Sequence, residues 1–206
     1  MSILLIRHGE TALNVARVLQ PADTPLSARG QAQAQALGAR LGALGVTAIL
    51  SSDLPRALQT AQAIAAASGA SIETSALLHE RNFGDLRGQA YDGLGMNPMT
   101  MLEAPPGGES ADVFAARVAQ AFELIVARRA TLGASATLAV VTHGLVLRTL
   151  LAAQVRLAHG TAAPTHLGNT SLSVIDAAAP HQVTLLDCTR HLEGGACDDA
   201  KALSGG

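Results

Sequence analysis

Residues 3–11 of the 206-residue chain read ILLIRHGET, and the interpretation of the rest starts from this stretch. Four consecutive apolar residues bounded by polar ones predict a short strand that is buried on both faces of a sheet. The apolar run stops at Arg7 and His8, and Gly9 allows the backbone to turn sharply there. A guanidinium suits paired hydrogen bonds to phosphate or carboxylate, and an imidazole can act as nucleophile or proton carrier. The alternative is a strand that simply ends in two exposed polar residues.

The composition indicates a folded domain with an aliphatic core. Apolar residues make up 49% of the chain and charged residues 15%, with no Trp, one Tyr and three Phe. Because the net charge is −2 and aromatic rings are few, no partner surface for nucleic acid is expected. Two cysteines are too few for a disulfide framework, so a reducing, cytoplasmic location is expected. The N-terminus lacks the basic region of a signal peptide.

Several functional classes require residues that the sequence does not supply. The most apolar segment, residues 138–155, contains His143 and Arg148, which are costly in hydrocarbon, so no membrane partner is expected. The only lysine is Lys201, close to the C-terminus. A P-loop needs Gly-Lys-Ser/Thr and Schiff-base chemistry needs a buried lysine, so neither is predicted. The Gly-x-Ser-x-Gly elbow of many serine hydrolases is also missing.

Apolar runs of strand length alternate with stretches of helical periodicity along the chain. Strands are predicted at residues 3–6, 46–50, 70–74, 137–141, 170–175 and 183–186. Helices are predicted at residues 27–44, 55–67, 109–129 and from 145 onward. Residues 10–25 are predicted to form a long loop. The order predicts a single α/β domain, with a mostly parallel sheet flanked by helices on both faces and an antiparallel edge strand.

The domain is predicted to span residues 1–192. Within it, residues 89–108 are rich in Gly, Pro and Met without clear periodicity, and we expect them to form a flexible flap or subdomain and not a linker. Residues 193–206 are predicted to form a loose C-terminal tail. The oligomeric state is left open by the sequence.

Polar clusters directly follow the predicted strands. They are Arg7-His8, residues 51–56, His79-Glu80 and Thr142-His143. In open α/β sheets ligands bind beyond the carboxyl ends of the strands, so we expect these clusters to converge on one rim. Two guanidiniums and a second imidazole would then form a positive cradle, and a phosphate dianion is its natural guest. A neutral His8 could attack phosphorus, and a nearby carboxyl could protonate the departing oxygen.

The same residues resemble the signature of a known family. Residues 7–11 (RHGET) look like the motif of the histidine phosphatase superfamily, in its phosphoglycerate-mutase-like branch. Further blocks follow in the family's order and extend the resemblance over about residues 3–192. These blocks are residues 23–27 (DTPLS), 51–60 (SSDLPRALQT), 80–84 (ERNFG), 106–110 (PGGES), 141–144 (VTHG), 169–171 (NTS) and 191–192 (HL).

The resemblance implies a role for each matching residue. His8 is expected to be the nucleophile that becomes phosphorylated, and Glu80 the proton donor. Arg7, Arg56 and His143 are expected to hold the transferring phosphoryl group. The substrate-binding residues that the resemblance implies are Arg7, Asn14, Gln20, Thr24, Arg56, His143 and Gly144. Neither a metal nor a cofactor is required by this chemistry.

The sequence therefore predicts a metal-independent phosphomonoesterase that acts on a small phosphorylated metabolite through a phosphohistidine. A phosphoglycerate mutase would use the same site, although mutases of this family usually carry a longer insertion after the acid. A metal hydrolase with His8, His143 and Glu80 as ligands is a second rival function. The third is a catalytically inactive module that binds a phospho-ligand or a protein. The physiological substrate is not named by any motif.

Other charged residues are expected to have structural roles or to be solvated. Glu10 and Glu109 are rival candidates for the catalytic acid, and Glu10 could instead pair with a nearby arginine. Arg81 and Arg87 could hold substrate, but the default interpretation is that they are solvated loop charges. Arg117, Arg128 and Arg129 are interpreted as an exposed helix face.

Overall fold

The computed structural model describes residues 1–193, which form a domain built on a six-stranded sheet. The strands are β1 (Ser2–Arg7), β2 (Ala48–Ser51), β3 (Ser71–Thr74), β4 (Leu138–Thr142), β5 (Leu172–Asp176) and β6 (Val183–Cys188). Their order across the sheet is β3-β2-β4-β1-β5-β6. The first four pair in parallel, whereas β5 is antiparallel to β1 and β6 is antiparallel to β5. The predicted sheet, with its antiparallel edge pair, is confirmed. Nearly all of the predicted tail, from residue 194 onward, lies outside the described residues.

Strand β1 is buried on both faces, as its uninterrupted apolar run predicted. Ile3, Leu4, Leu5 and Ile6 are each at most 4% exposed. Because side chains alternate along a strand, Ile3 and Leu5 belong to one core, and Leu4 and Ile6 to the other. Burial of each such side chain contributes roughly 1.5–3 kcal/mol, so this central strand fixes both layers of the domain.

Five helices lie along the described chain. They are α1 (Ala12–Val15), α2 (Ala28–Ala43), α3 (Pro55–Ser68), α4 (Ala111–Ala130) and α5 (Gly144–Ala153). Leu37 of α2 and Ile64 of α3 pack in the core that contains Leu4. Val118 of α4 and Leu150 of α5 pack in the core that contains Leu5. The helices therefore cover both faces of the sheet, and within residues 1–193 none has the length and apolar character needed to cross a membrane.

The segment that was predicted as a loop, residues 10–25, contains the short helix α1. Thr11 begins it, because its hydroxyl oxygen accepts a hydrogen bond from the Asn14 amide at 3.0 Å. The Asn14 side-chain oxygen accepts in return from the Thr11 amide at 3.1 Å. A reciprocal cap of this kind usually has Glu or Gln at the third helical residue, where this chain has Asn14. A helix of four residues is also too short to show helical periodicity in the sequence, so it was not predicted. The helix holds Asn14 in a buried position close to the end of β1.

Residues 89–108 contain two short 3-10 turns, Tyr91–Gly93 and Pro98–Thr100. The start of this flap is tied to the loop after α1. The Leu19 amide donates to the Gln89 carbonyl, and the Tyr91 amide donates to the Arg17 carbonyl, each at 2.9 Å. These bonds place the flap beside the carboxyl edge of the sheet.

Candidate active site

Side chains that were predicted to converge do so at the carboxyl ends of the parallel strands. Arg7, His8, Arg56, Glu80 and His143 are each at most 6% exposed. Arg7 at the end of β1 is paired in register with the last residue of β4, so the next residue of each strand emerges side by side. The rings of His8 and His143 are 5.1 Å apart between centroids, with an angle of 59° between their planes.

The backbone fixes the orientation of the His8 ring. Its Nδ1 lies 2.7 Å from the Gly9 carbonyl oxygen, and because a carbonyl only accepts, Nδ1 carries the hydrogen. Nε2 therefore holds the lone pair, and it has no hydrogen-bond partner among residues 1–193. Burial, followed by the charges of Arg56 and Arg7, holds the pKa of His8 well below its usual range. The ring is consequently neutral near pH 7.

His143 is positioned by a side chain from the neighbouring strand. Its Nε2 lies 2.9 Å from the hydroxyl of Ser52, the residue after β2, and its Nδ1 has no partner among the described residues. Burial is the main cause that lowers the pKa of His143, and Arg56 adds to the effect. Sequence reasoning included Ser52 in a polar cluster but assigned it no role in the site. Since the bond joins residues far apart along the chain, no local pattern could reveal it.

The two arginines of the site are anchored through backbone carbonyls. Arg7 donates from Nη1 to Leu167 at 2.5 Å, and Arg56 donates from Nη1 to Pro21 at 3.3 Å. Burial lowers the pKa of Arg56 to about 10, although the Glu80 carboxylate opposes this shift. Arg56 thus remains a cation at neutral pH, and its Nε is unpaired within residues 1–193.

Glu80 lies in the loop after β3 and contacts the start of helix α5. Its Oε1 accepts from the Arg81 amide at 2.9 Å, and its Oε2 accepts from the Leu145 amide at 3.1 Å. The carboxyl group therefore lies at the first turn of α5, directly beyond His143. Arg117 supports the loop from behind by donating to the Glu80 carbonyl at 3.4 Å.

The remaining residues that were predicted to bind substrate are distributed around this centre. Asn14 is buried, and its Nδ2 has no partner in the described part of the chain. Gln20 accepts from the Thr11 hydroxyl at 2.9 Å and lines a small cavity together with Arg56 and Glu80. Thr24 donates its hydroxyl to the Pro21 carbonyl at 2.9 Å, the same oxygen that Arg56 contacts. Gly144 borders another small cavity with Arg7.

Both rival carboxylates are engaged in structural contacts. Glu10 accepts from the Ser27 hydroxyl at 2.9 Å and lies 3.8 Å from Arg29. Its carbonyl also packs against the first turn of α2, where a Cβ added to Gly30 would be 2.0 Å from the Glu10 oxygen. The expected pairing of Glu10 with an arginine is therefore observed.

Glu109 forms a two-pronged ion pair with Arg117, with both distances at 2.8 Å. Its Oε2 also accepts from the Asn82 amide at 2.8 Å. Burial by itself would raise the pKa of Glu109, but the hydrogen bonds from Arg117 and the Asn82 amide outweigh it and lower the pKa. Glu109 therefore fixes the loop that carries Glu80.

The interpretation of Arg81 as a solvated charge was wrong. Its side chain is 3% exposed, and the guanidinium donates to the carbonyls of Met101 at 2.7 Å, Glu103 at 3.3 Å and Glu109 at 3.0 Å. Five donors in a planar fork can satisfy several carbonyls of an irregular segment at once. Arg81 thus holds the end of the flap to the loop of the predicted acid.

Arg117 was misassigned to an exposed helix face, since its side chain is 17% exposed and paired with Glu109, and the same error applies to Arg129. Arg129 is 3% exposed, and its Nη1 donates to the Gly133 carbonyl at 3.4 Å beyond the end of α4. Arginine near a helix C-terminus readily binds the last carbonyls and their downstream neighbours. The charge pattern of the helix gave no sign of this local contact.

The described residues offer no cluster suited to a metal ion. Within residues 1–193, no three His, Cys, Asp or Glu side chains are arranged to hold one. Instead, the His8 ring contacts the Gly9 carbonyl, the His143 ring contacts the Ser52 hydroxyl, and the Glu80 carboxyl accepts from the Leu145 amide.

Comparison with known proteins identifies relatives over most of the chain. The family profile described as the histidine phosphatase superfamily (branch 1) matches residues 3–187. The probable phosphoglycerate mutase GpmB of Erwinia tasmaniensis is 32% identical over 186 residues, which cover 85% of each chain. The protein with the same description from Salmonella newport is 34% identical over 190 residues, again 85% of each.

Solved structures show the same fold. Bacillus stearothermophilus YhfR is 32% identical with a TM-score of 0.73, covering 89% of this chain and 94% of its own. The mycobacterial glucosyl-3-phosphoglycerate phosphatase, solved in complex with VO3, is 29% identical with a TM-score of 0.72. That match covers 85% of this chain and 90% of the mycobacterial one. The descriptions of these relatives include both a phosphatase and a mutase.

Proposed function

The chain belongs to branch 1 of the histidine phosphatase superfamily, and from this premise we propose that it is a metal-independent phosphomonoesterase acting through a phosphohistidine at residue 8. Its substrate is a small phosphorylated metabolite, and its location is cytoplasmic. One observation carries the proposal. The His8 ring is buried and neutral, its Nδ1 is held by the Gly9 carbonyl, and its Nε2 lone pair is unused within residues 1–193. A pre-oriented neutral imidazole among cations is suited to attack phosphorus.

Unpaired polar atoms around His8 support a site for a group rich in acceptor oxygens. Asn14 Nδ2, Arg56 Nε and His143 Nδ1 are buried and lack partners among the described residues. Leaving a buried polar group unpaired costs roughly 1–3 kcal/mol. Several unpaired polar atoms close together are therefore expected where a bound ligand supplies the missing partners. A phosphoryl group would satisfy these atoms together.

The proposed reaction has two steps. Arg7, Arg56 and His143 hold the non-bridging oxygens, and the Nε2 lone pair of His8 forms a bond to phosphorus while the ester P–O bond breaks. The proton of the Glu80 carboxyl passes to the departing alkoxide oxygen. Water then attacks the phosphohistidine with Glu80 as base, which releases phosphate and restores neutral His8. Positioning and fixed positive charge supply most of the rate enhancement.

A second candidate function is phosphoglycerate mutase, because relatives at 32–34% identity carry that description. A mutase would return the phosphoryl group to the substrate instead of to water. Measuring free phosphate against isomerised phosphoglycerate in one reaction mixture distinguishes the two activities.

The nucleophile is tested with His8→Asn, which can keep a donor to the Gly9 carbonyl but has no equivalent of Nε2. We expect the wild-type protein to form an acid-labile, alkali-stable phosphoenzyme and to release phosphate. In the variant, the amount of phosphoenzyme and the rate of phosphate release should each fall by at least about 10³-fold. His159→Asn, at an exposed histidine, is the matched control and should behave as wild type. An equally active His8→Asn protein would exclude the proposal.

Two further measurements test for a metal hydrolase and for an inactive binding module. Exhaustive chelation should leave phosphate release unchanged, whereas a metal hydrolase would lose activity. Vanadate should compete with substrate, as its presence in the mycobacterial phosphatase structure suggests. Absence of turnover over a broad panel of phosphomonoesters would favour an inactive phospho-ligand-binding module.

A further inference from the structure

Two short sequence blocks, residues 169–171 and 191–192, have no role in the proposed reaction but contact each other beside the end of β1. Thr170 precedes β5 and is fully buried, and His191 lies in the short 3-10 turn Arg190–Leu192 after β6. The Nε2 atom of His191 is 3.0 Å from Oγ1 of Thr170. This contact connects the turn after β6 to the start of the strand that neighbours β1.

The segment before β5 also fixes the peptide unit between His8 and Gly9. The His8 carbonyl oxygen accepts from the Thr170 amide at 3.2 Å and from Asn169 Nδ2 at 3.1 Å. At the other end of this unit, the Gly9 amide donates to Thr60 Oγ1 at 3.0 Å. The next carbonyl along the chain, that of Gly9, holds Nδ1 of the His8 ring. The orientation of the ring therefore depends on where Asn169 and Thr170 lie.

Thr170 has an unusual backbone conformation that its neighbours must maintain. Its φ of +55° lies in the left-handed region, which β-branched residues rarely adopt. Such a conformation persists only where surrounding contacts hold it. The Thr170 hydroxyl donates to the Asn169 carbonyl at 2.7 Å. Because a hydroxyl has a single hydrogen, the same oxygen accepts from Nε2 of His191.

Arg40 of α2 independently places the hydrogen of the His191 ring on Nε2. Arg40 Nη1 is 3.3 Å from His191 Nδ1, and because a guanidinium only donates, Nδ1 is the acceptor. Burial, and then the charge of Arg40, lowers the pKa of His191 to about 4, so the ring is neutral near pH 7. The hydrogen bonds therefore run in one direction, from Arg40 through His191 and Thr170 to the Asn169 carbonyl.

We propose that His191 is a positioning residue for the nucleophile, because its hydrogen bond to Thr170 holds the segment that fixes the His8 carbonyl and, with it, the His8 ring. The inference rests on the proposed function, which makes His8 the nucleophile. Attack on phosphorus requires Nε2 of His8 in a narrow range of positions, and a displacement of about 1 Å can lower a rate about 10²-fold. Loss of one supporting hydrogen bond is a smaller disturbance, so we expect a loss of about tenfold.

Two substitutions of His191 differ in whether a donor still reaches Thr170. The side-chain amide of His191→Gln stands near the place of Nε2, whereas that of His191→Asn stands near the place of Nδ1 and is too short. With 4-nitrophenyl phosphate as substrate, His191→Asn should lower kcat about tenfold, and His191→Gln should keep more than about half of the wild-type kcat. The Kd for inorganic phosphate should change by less than about twofold in both, because the cations of the site keep their own anchors.

His181→Asn is the matched control. His181 is also half-buried, and its Nδ1 is 3.1 Å from the Asp176 carbonyl oxygen, but it lies at the opposite end of β6. Its substitution should leave kcat unchanged, whatever its effect on the free energy of unfolding. Wild-type kcat in His191→Asn, or an equal loss of kcat in His181→Asn, would overturn the inference.

A double variant tests whether His191 acts through Thr170. Thr170→Val keeps the shape of the side chain without its hydroxyl, so it also removes the acceptor of the His191 hydrogen bond. If the two residues act as one unit, the His191→Asn/Thr170→Val protein should be no slower than Thr170→Val alone. Losses of kcat that multiply in the double variant would overturn the inference.

Nitrogen NMR of the isotope-labelled protein without substrate separates this inference from the proposed function. The His8 ring resonances are identified by their loss in His8→Asn. Wild type should show a protonated Nδ1 and an unprotonated Nε2, and His191→Asn should shift both toward the average of the two tautomers. This change, in a protein that hydrolyses no phosphomonoester, would overturn only the proposed function. Unchanged ring shifts and kcat in His191→Asn, with 4-nitrophenyl phosphate hydrolysed by wild type, would overturn only the inference.

Discussion

Acidification from pH 7.5 to 5.0 should destabilise the fold through His8 and His143. Both rings are fully buried, and burial followed by the charge of Arg56 holds the pKa of each well below its usual range. In the unfolded chain a histidine takes up a proton below about pH 6.5. The unfolded state therefore binds more protons than the folded state as the pH falls, and the free energy of unfolding decreases.

The magnitude follows from the distance between pH 5.0 and the unfolded pKa. That gap is about 1.5 pH units, so at 1.36 kcal/mol per unit each ring that stays neutral costs about 2 kcal/mol and the pair about 4 kcal/mol. Domains of this kind are stable by about 5–15 kcal/mol in total, so the loss is easily measured. Carboxylates titrate over the same range, and a variant is needed to separate their contribution.

The assay is urea unfolding of wild type and His8→Asn at both pH values, in buffers without phosphate. We expect the pH-dependent loss to be about 2 kcal/mol smaller in His8→Asn, because that variant has one buried ring fewer to protonate on unfolding. His159→Asn removes an exposed histidine and should show the wild-type loss. An identical loss in wild type and His8→Asn would refute the reasoning that His8 is held neutral in the fold.

Three other predictions concern packing and positioning. Gly30→Ala should lower the free energy of unfolding by roughly 1–3 kcal/mol, because its Cβ would lie 2.0 Å from a backbone oxygen. In the same denaturation assay the control Gly133→Ala should be near neutral, because its Cβ would meet nothing within 4 Å. Arg81→Met should destabilise by about 2–4 kcal/mol and accelerate proteolysis within residues 89–108, because several buried carbonyls lose their donor; equal cleavage rates would contradict this anchoring role. Ser52→Ala should lower kcat about tenfold and the free energy of unfolding by about 1–3 kcal/mol, because the buried Nε2 of His143 loses its partner, and unchanged kcat would argue against a positioning role.

The parts of the structure that the sequence predicted are those set by local patterns. An unbroken apolar run of strand length at residues 3–6 indicated a strand with two covered faces, and β1 is central in the sheet. Ser27 was recognisable as a helix cap, and its hydroxyl accepts from the amide three residues onward at 3.0 Å. Because ligand sites in α/β sheets form beyond the strand ends, the clustering of Arg7, His8 and His143 could also be anticipated.

Hydrogen bonds that leave no pattern in the sequence account for the contacts that were missed. Arg81 and Arg129 were expected in solvent, yet both are buried because backbone carbonyls of irregular segments accept from their guanidiniums. The contact of Ser52 with His143 spans 91 positions, so no spacing rule could find it.

Arg81 has a consequence for how this scaffold can be altered. Its amide contacts the Glu80 carboxyl, while its guanidinium contacts the flap at Met101 and Glu103. One residue therefore couples the position of the proposed proton donor to the shape of the flap. Engineering a new specificity by exchanging residues 89–108 would require carbonyls at the same places on the grafted loop. Without them, a change meant for recognition would also displace the acid and lower turnover.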